Sequence, residues 1–166
     1  EYHARASVCQ IPQTSQTCVC ADQRSASTGT SGGERFSFHS GPLSWHAARE
    51  DCRSRGGDLA SIHSDAENRE AHALTGGRDT WLGLNVEEDE NNYVWSDGTP
   101  FDFDGWAEGE PNNFDGWDED CGGYWSGRGD RTWDSLYGGE SCGGELAYLC
   151  GYSNAARRLN AVGRYT

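Results

Sequence analysis

Apolar and polar side chains first fall into a regular pattern at Arg35-Phe36-Ser37-Phe38, where they alternate as on a strand with one buried face. Ser44 then stands where it caps a helix whose Trp45, Ala48 and Cys52 recur at intervals of three and four and form one apolar stripe. Gly56-Gly57 predicts a left-handed end to that helix. Leu59-Ala60-Ser61-Ile62 reads as a strand. Ser64-Asp65-Ala66-Glu67 is a capping box that opens a second helix, stopping near Thr75 ahead of Gly76-Gly77. Thr80-Trp81-Leu82-Gly83-Leu84 is a buried strand. From Asn85 to Asp120 the periodicity fails, and Trp95, Trp106 and Trp117 are the expected anchors of a long irregular region. So long a loop inside a compact domain is functional as a rule. The chain returns through Gly122-Gly123-Tyr124-Trp125 and Arg131-Thr132-Trp133, then closes on the apolar strand Glu145-Leu146-Ala147-Tyr148-Leu149-Cys150.

A chain of 166 residues fits one domain with extensions. The expected division is a Cys-containing extension and Ser/Gly-rich linker over residues 1–33, a folded domain over 34–151 and a polar tail over 152–166 carrying Arg157, Arg158 and Arg164. With no Met anywhere and Glu1 in first place, a processed or excised product is expected. Seven Trp and seven Tyr suit a small core filled by aromatic rings, and 23 Gly imply much turn and irregular backbone. Seven Cys, at no zinc-finger spacing, point to disulfides and an oxidising, extracellular compartment, secreted or cell-surface. Cys9, Cys18 and Cys20 cannot all pair with one another, so either one is free or it reaches a partner elsewhere. No apolar run approaches membrane-spanning length.

The net charge of −14 is concentrated: residues 79–120 hold fourteen acids and no Arg or Lys. Such a surface repels nucleic acid, and it repels itself unless a cation neutralises part of it. The densest part is Glu108-Gly109-Glu110-Pro111-Asn112-Asn113-Phe114-Asp115-Gly116-Trp117-Asp118-Glu119-Asp120-Cys121. Carboxylate and amide oxygens crowded into a loop are the ligand inventory of Ca2+. A cis Glu110–Pro111 bond would turn both flanking side chains toward one ion. The alternative is a solvated acidic loop. No His-Glu-x-x-His and no nucleophile with a base at diagnostic spacing is present, so an enzyme is not expected. Arg128-Gly129-Asp130 is a short integrin-type tripeptide of little weight.

Residues 35–150 resemble the C-type lectin-like domain. The resemblance rests on Trp45-x-x-Ala48-x-x-x-Cys52, Gly57-Asp58-Leu59-Ala60-Ser61-Ile62, Trp81-Leu82-Gly83-Leu84, Trp95-Ser96-Asp97-Gly98 and Trp106-x-x-Gly109-Glu110-Pro111-Asn112. Glu119-Asp120-Cys121, Trp133-Asp134, Cys142 and Cys150 complete it, all in the family's order. It implies an α+β fold: two helices, two small antiparallel sheets and a long Ca2+-binding loop region, stapled by Cys52–Cys150 and Cys121–Cys142. It also implies a Ca2+ held by Glu110, Asn112, Glu119 and Asp134, with Ser135 beside them, and sugar hydroxyls sharing those ligands. Glu-Pro-Asn resembles the order associated with mannose, glucose and fucose. Trp117 lies in an insertion and is either a sugar-stacking residue or a core residue.

Where the family has Trp-Asn-Asp, this chain has Trp133-Asp134-Ser135. Asp134 fills the Asn position or, in a shifted register, the Asp position; in the first case an amide donor and a carboxylate are both lost. An auxiliary Ca2+ site in the family implies Glu90, Asn113, Glu119 and Asp120 here, with Val86 where an acid is usual. Two functions follow from the resemblance. The first is a Ca2+-dependent module for mannose-type glycans. The second is a structural or protein-interaction domain of a larger extracellular assembly, with Ca2+ only structural or absent and an N-terminal Cys as a candidate covalent link to a partner.

Overall fold

The computed structural model describes residues 34–86, 92–112, 119–136 and 142–154, all within one compact unit that spans Gly32–Thr166. The extension over 1–33 with Cys9, Cys18 and Cys20, and the tail beyond 154, lie outside the described residues. Among the described residues nine elements follow in order: β1 (Phe36–Leu43), α1 (Trp45–Ser54), β2 (Asp58–Leu59), α2 (Asp65–Thr75), β3 (Thr80–Val86), β4 (Tyr93–Trp95), β5 (Cys121–Tyr124), β6 (Trp133–Leu136) and β7 (Leu146–Gly151).

Both helices begin and end on the local signals in the sequence. Ser44 Oγ accepts from Ala47 N at 3.3 Å, and α1 buries Trp45, Ala48 and Cys52. At its other end Gly56 takes φ 82°, so that Gly57 N reaches Cys52 O at 3.0 Å and Gly56 N reaches Arg53 O at 3.0 Å. Those two bonds satisfy carbonyls that the helix leaves open, and the positive φ is the reason for a glycine there. Ser64 Oγ caps α2 through Glu67 N at 3.2 Å, and Glu67 Oε2 answers by accepting from His63 N at 2.8 Å.

The strands run β1-β7-β3-β5-β6 across the sheet, with β2 also on β7 and β4 on β3. All pairings are antiparallel except β3 with β7, joined in parallel at Thr80↔Ala147 and Trp81↔Tyr148. The expected two antiparallel sheets are therefore joined into one mixed sheet, because β3 is buried from Thr80 to Leu84 and has neighbours on both edges. The expected strand at 59–62 is shorter, ending at Leu59, and the irregular region gains a strand of its own in β4.

Trp133 stands at the centre of the core. Trp95, Phe103 and Trp106 meet it edge-on at centroid distances of 5.3, 5.7 and 6.0 Å. The preceding loop lies along β6: Trp133 N donates to Gly105 O at 2.8 Å, and Ala107 N donates to Trp133 O at 2.9 Å. A Cβ on Gly105 would lie 2.5 Å from the Trp133 ring, so this close approach needs glycine. Asn68 of α2 holds the same region from beneath. Its Oδ1 accepts from Tyr124 Oη at 2.5 Å and Trp133 Nε1 at 3.0 Å, and its Nδ2 donates to Arg131 O at 2.9 Å.

Two disulfides close the domain. Cys52–Cys150 ties α1 to β7 across 98 residues, and Cys121–Cys142 ties the start of β5 to the approach to β7. Two stability changes follow, each read by denaturant unfolding. Asn68→Ala leaves the buried Trp133 Nε1 and the Arg131 carbonyl without their partner, keeps only the 3.3 Å contact of Tyr124 Oη to the residue-68 carbonyl, and lowers stability by about 2 kcal/mol. The pair Cys52→Ala/Cys150→Ala loses the loop constraint and costs about 4 kcal/mol.

Candidate functional site

The acidic loop reaches its position through the backbone ladder just described. With residues 105–107 fixed along β6, the next turn closes through Glu110 N to Ala107 O at 3.0 Å and delivers Glu110 beside Ser135. The Glu110–Pro111 bond is cis, and the flanking side chains meet, Asn112 Nδ2 donating to Glu110 Oε1 at 2.6 Å. Glu119 arrives from the other side, just ahead of β5. Its carbonyl accepts a hydrogen bond from the buried Tyr93 hydroxyl, while Asp120 O accepts from Val86 N at 3.0 Å. Burial holds that hydroxyl's pKa well above the usual tyrosine value, with the nearby Glu119 charge acting in the same direction.

Ser135 on β6 is the meeting point. Its Oγ lies 2.8 Å from Glu110 Oε2 and 2.8 Å from Glu119 Oε2, and it accepts from Asn112 N at 3.3 Å. A hydroxyl has one proton to give. The Ser135 backbone N–H also donates to Glu110 Oε2, at 3.3 Å, so the one residue reaches both carboxylates. Asp134, the residue before, joins the set through Arg128. The Arg128 Nη2 donates to Glu110 Oε1 at 2.8 Å and its Nε donates to Asp134 Oδ2. Burial raises the Asp134 pKa, opposed by its hydrogen bond from Arg128 and reinforced by the Glu110 charge.

These groups line one open cavity of about 510 Å³, bounded also by Asp79, Trp125, Leu136 and Leu146. Glu110, Asn112, Glu119, Asp134 and Ser135, the five residues expected at the metal site, all line it. Three carboxylates, an amide and a hydroxyl form a hard-oxygen set of the kind that Ca2+ takes. Of the auxiliary set, Glu90 and Asn113 lie outside the described residues, as does Trp117. Of the remaining two, Glu119 turns its carboxylate toward Ser135 and so toward the first site.

Arg128 and Trp125 were not expected here. Arg128 is the first basic residue after the long acidic run, a signal visible in the sequence, although the tripeptide reading draws attention elsewhere. In the structure its guanidinium turns inward to the carboxylates, with a side-chain exposure of 27 %. Asp130 holds its own turn through Thr132 N at 2.9 Å. Trp125 is 46 % exposed at the cavity rim. A Cβ on Gly127 would meet its ring at 2.6 Å, so the glycine permits the turn to lie flat against that ring.

Two helices against a mixed sheet, with these two disulfides, define the C-type lectin-like fold. Residues 41–152 match the family model of the lectin C-type domain, and the chain belongs to that family. The galactose-specific lectin nattectin of Thalassophryne nattereri is 40% identical over 79 residues, which is 45% of this chain and 50% of nattectin. The type-2 ice-structuring protein of Hemitripterus americanus is 38% identical over 61 residues, 37% of each chain. The chain thus spans half or less of the length of these curated relatives. Among solved structures, the carbohydrate-recognition domain of cow CD23, in the presence of a GlcNAc2Man3 oligosaccharide, superposes with a TM-score of 0.61 at 31% identity. The match covers 69% of this chain and 84% of that one.

The hydroxyl of Ser135 holds the Glu110 and Glu119 carboxylates together. Ser135→Ala is expected to lower stability in metal-free buffer by about 1–2 kcal/mol, measured by denaturant unfolding.

Proposed function

We propose that the chain is a Ca2+-dependent carbohydrate-binding module of an extracellular protein, recognising mannose-type vicinal hydroxyls and carrying out no catalysis. The observation that carries this reading is the convergence of Glu110, Asn112, Glu119, Asp134 and Ser135 on one open cavity. Those residues hold the ion, and Ca2+ supplies a centre that takes hydroxyl oxygens in place of water. The carboxylates of Glu110 and Glu119 accept hydroxyl protons, and Asn112 Nδ2 donates, which matches a sugar hydroxyl that both gives and receives. The Glu110-Pro111-Asn112 order and the likeness to a CD23 domain solved with a mannose-containing oligosaccharide support the mannose class. The likeness to a lectin named for galactose makes the choice of sugar the point to test.

One observation favours a second reading, a protein-interaction domain in which no ion presents a sugar. Arg128 already gives the Glu110 and Asp134 carboxylates a positive partner. The extracellular partner in that case is a protein, held covalently if an N-terminal Cys takes part.

Retention on immobilised mannose separates the two. On the lectin reading, excess chelator abolishes retention, and so does Glu110→Ala or Asn112→Ala. Chelation also lowers stability by about 2.7 kcal/mol relative to Ca2+ at a hundred times its Kd. The double change Asp134→Asn/Ser135→Asp restores the family's Trp-Asn-Asp and should tighten sugar binding. Undiminished retention in excess chelator overturns the lectin reading.

A further inference from the structure

We propose that Arg128 is a built-in competitor for the cation site, so that calcium enters only by exchanging with this guanidinium; the inference rests on the calcium reading above. Arg128 takes hold of two of the ligands themselves. Its Nη2 occupies Glu110 Oε1 at 2.8 Å and its Nε the Asp134 carboxylate. Glu110 Oε1 already accepts from Asn112 Nδ2 at 2.6 Å, and Oε2 lies 2.8 Å from Ser135 Oγ, so both oxygens of that carboxylate are engaged. An ion drawing on the Glu110 and Asp134 oxygens meets a like charge at hydrogen-bonding distance from the same atoms. The two cations exclude one another.

The segment around Arg128 is built as a turn that closes over the site. Arg128 N donates to Trp125 O at 3.2 Å, and Gly129 takes φ 69°. The guanidinium carbon lies 5.9 Å from the Trp125 ring centroid. That is within cation–π range, so the docked guanidinium rests on the Trp125 ring as well as on the two carboxylates, and its departure changes the surroundings of that ring. Glu110 is nearly fully covered, with a side-chain exposure of 2 %, while that of Arg128 is 27 %. The carboxylate is thus the fixed partner and the arginine the one with room to leave.

Such a device sets a calcium threshold. A docked state holding about nine-tenths of the molecules raises the apparent Kd for calcium about tenfold. Lys at this position is a point charge without the planar fork that reaches two carboxylates, so it competes less well.

The test is calcium titration of the wild-type chain, Arg128→Gln and Arg128→Lys by calorimetry, with near-ultraviolet circular dichroism confirming that each variant is folded. Arg128→Gln is expected to bind calcium about tenfold more tightly than wild type, with Arg128→Lys between them. The tryptophan emission change on calcium addition should shrink in a Trp125→Phe chain, since the exchange takes place against that ring. Calcium bound by wild type and Arg128→Gln with equal affinity overturns the competitor and leaves the calcium site standing. No binding by either folded protein overturns both readings, whereas binding by Arg128→Gln alone supports both.

Discussion

Like charges confined to one cavity must share a counter-charge, and that requirement governs the site half of this domain. Glu110 Oε2 and Glu119 Oε2 both lie 2.8 Å from the same hydroxyl oxygen and hence less than twice that distance apart. At an effective dielectric near 20 such a pair repels by about 3 kcal/mol. Asp134 adds to the repulsion; its pKa is raised by burial first and by the Glu110 charge after that. Against three carboxylates stand the Ser135 hydroxyl and backbone N–H, the Asn112 amide and the single positive charge of Arg128. Among these described groups the negative charges outnumber the positive, and the calcium reading rests on that balance.

The scaffold imposes this crowding through Trp133. Its ring is gripped by Trp95, Phe103 and Trp106, and its backbone is laddered to Gly105 and Ala107. Because the residues that follow on β6 are Asp134 and Ser135, the same strand that fixes the core presents the two polar groups. Glu110 and Glu119 are each anchored close by: Ala107 is tied to Trp133 of that strand ahead of the first, and Cys121 to Cys142 after the second. Asn68 completes the support from α2, and it links the packing of a helix to the placement of a site it never touches.

What was legible in the sequence is what local chemistry decides. Ser44, Ser64 with Glu67, and Gly56-Gly57 mark helix ends because caps act within a turn or two of chain. That Glu110, Asn112 and Glu119 meet at one cavity was legible from the motifs that resemble a known family, and so were the disulfides. The features that escaped depend on contacts distant in sequence. Asn68 reads as an ordinary polar helix position, and only the fold brings Tyr124, Trp133 and Arg131 around it. Ser135 looked like a lost carboxylate, yet register with Gly122 of β5 places its hydroxyl between two others. Arg128 stood in a tripeptide with an outward-facing meaning, and the turn at Gly129 directs it inward.

The most direct measurement is a crystal structure of the domain grown in millimolar Ca2+ with a mannoside. The account predicts an ion about 2.4 Å from oxygens of Glu110 and Glu119, two sugar hydroxyls completing its shell, and the Arg128 guanidinium moved off Glu110 and Asp134. Finding Arg128 still seated between Glu110 and Asp134 in that crystal, with no ion beside Ser135, would contradict it.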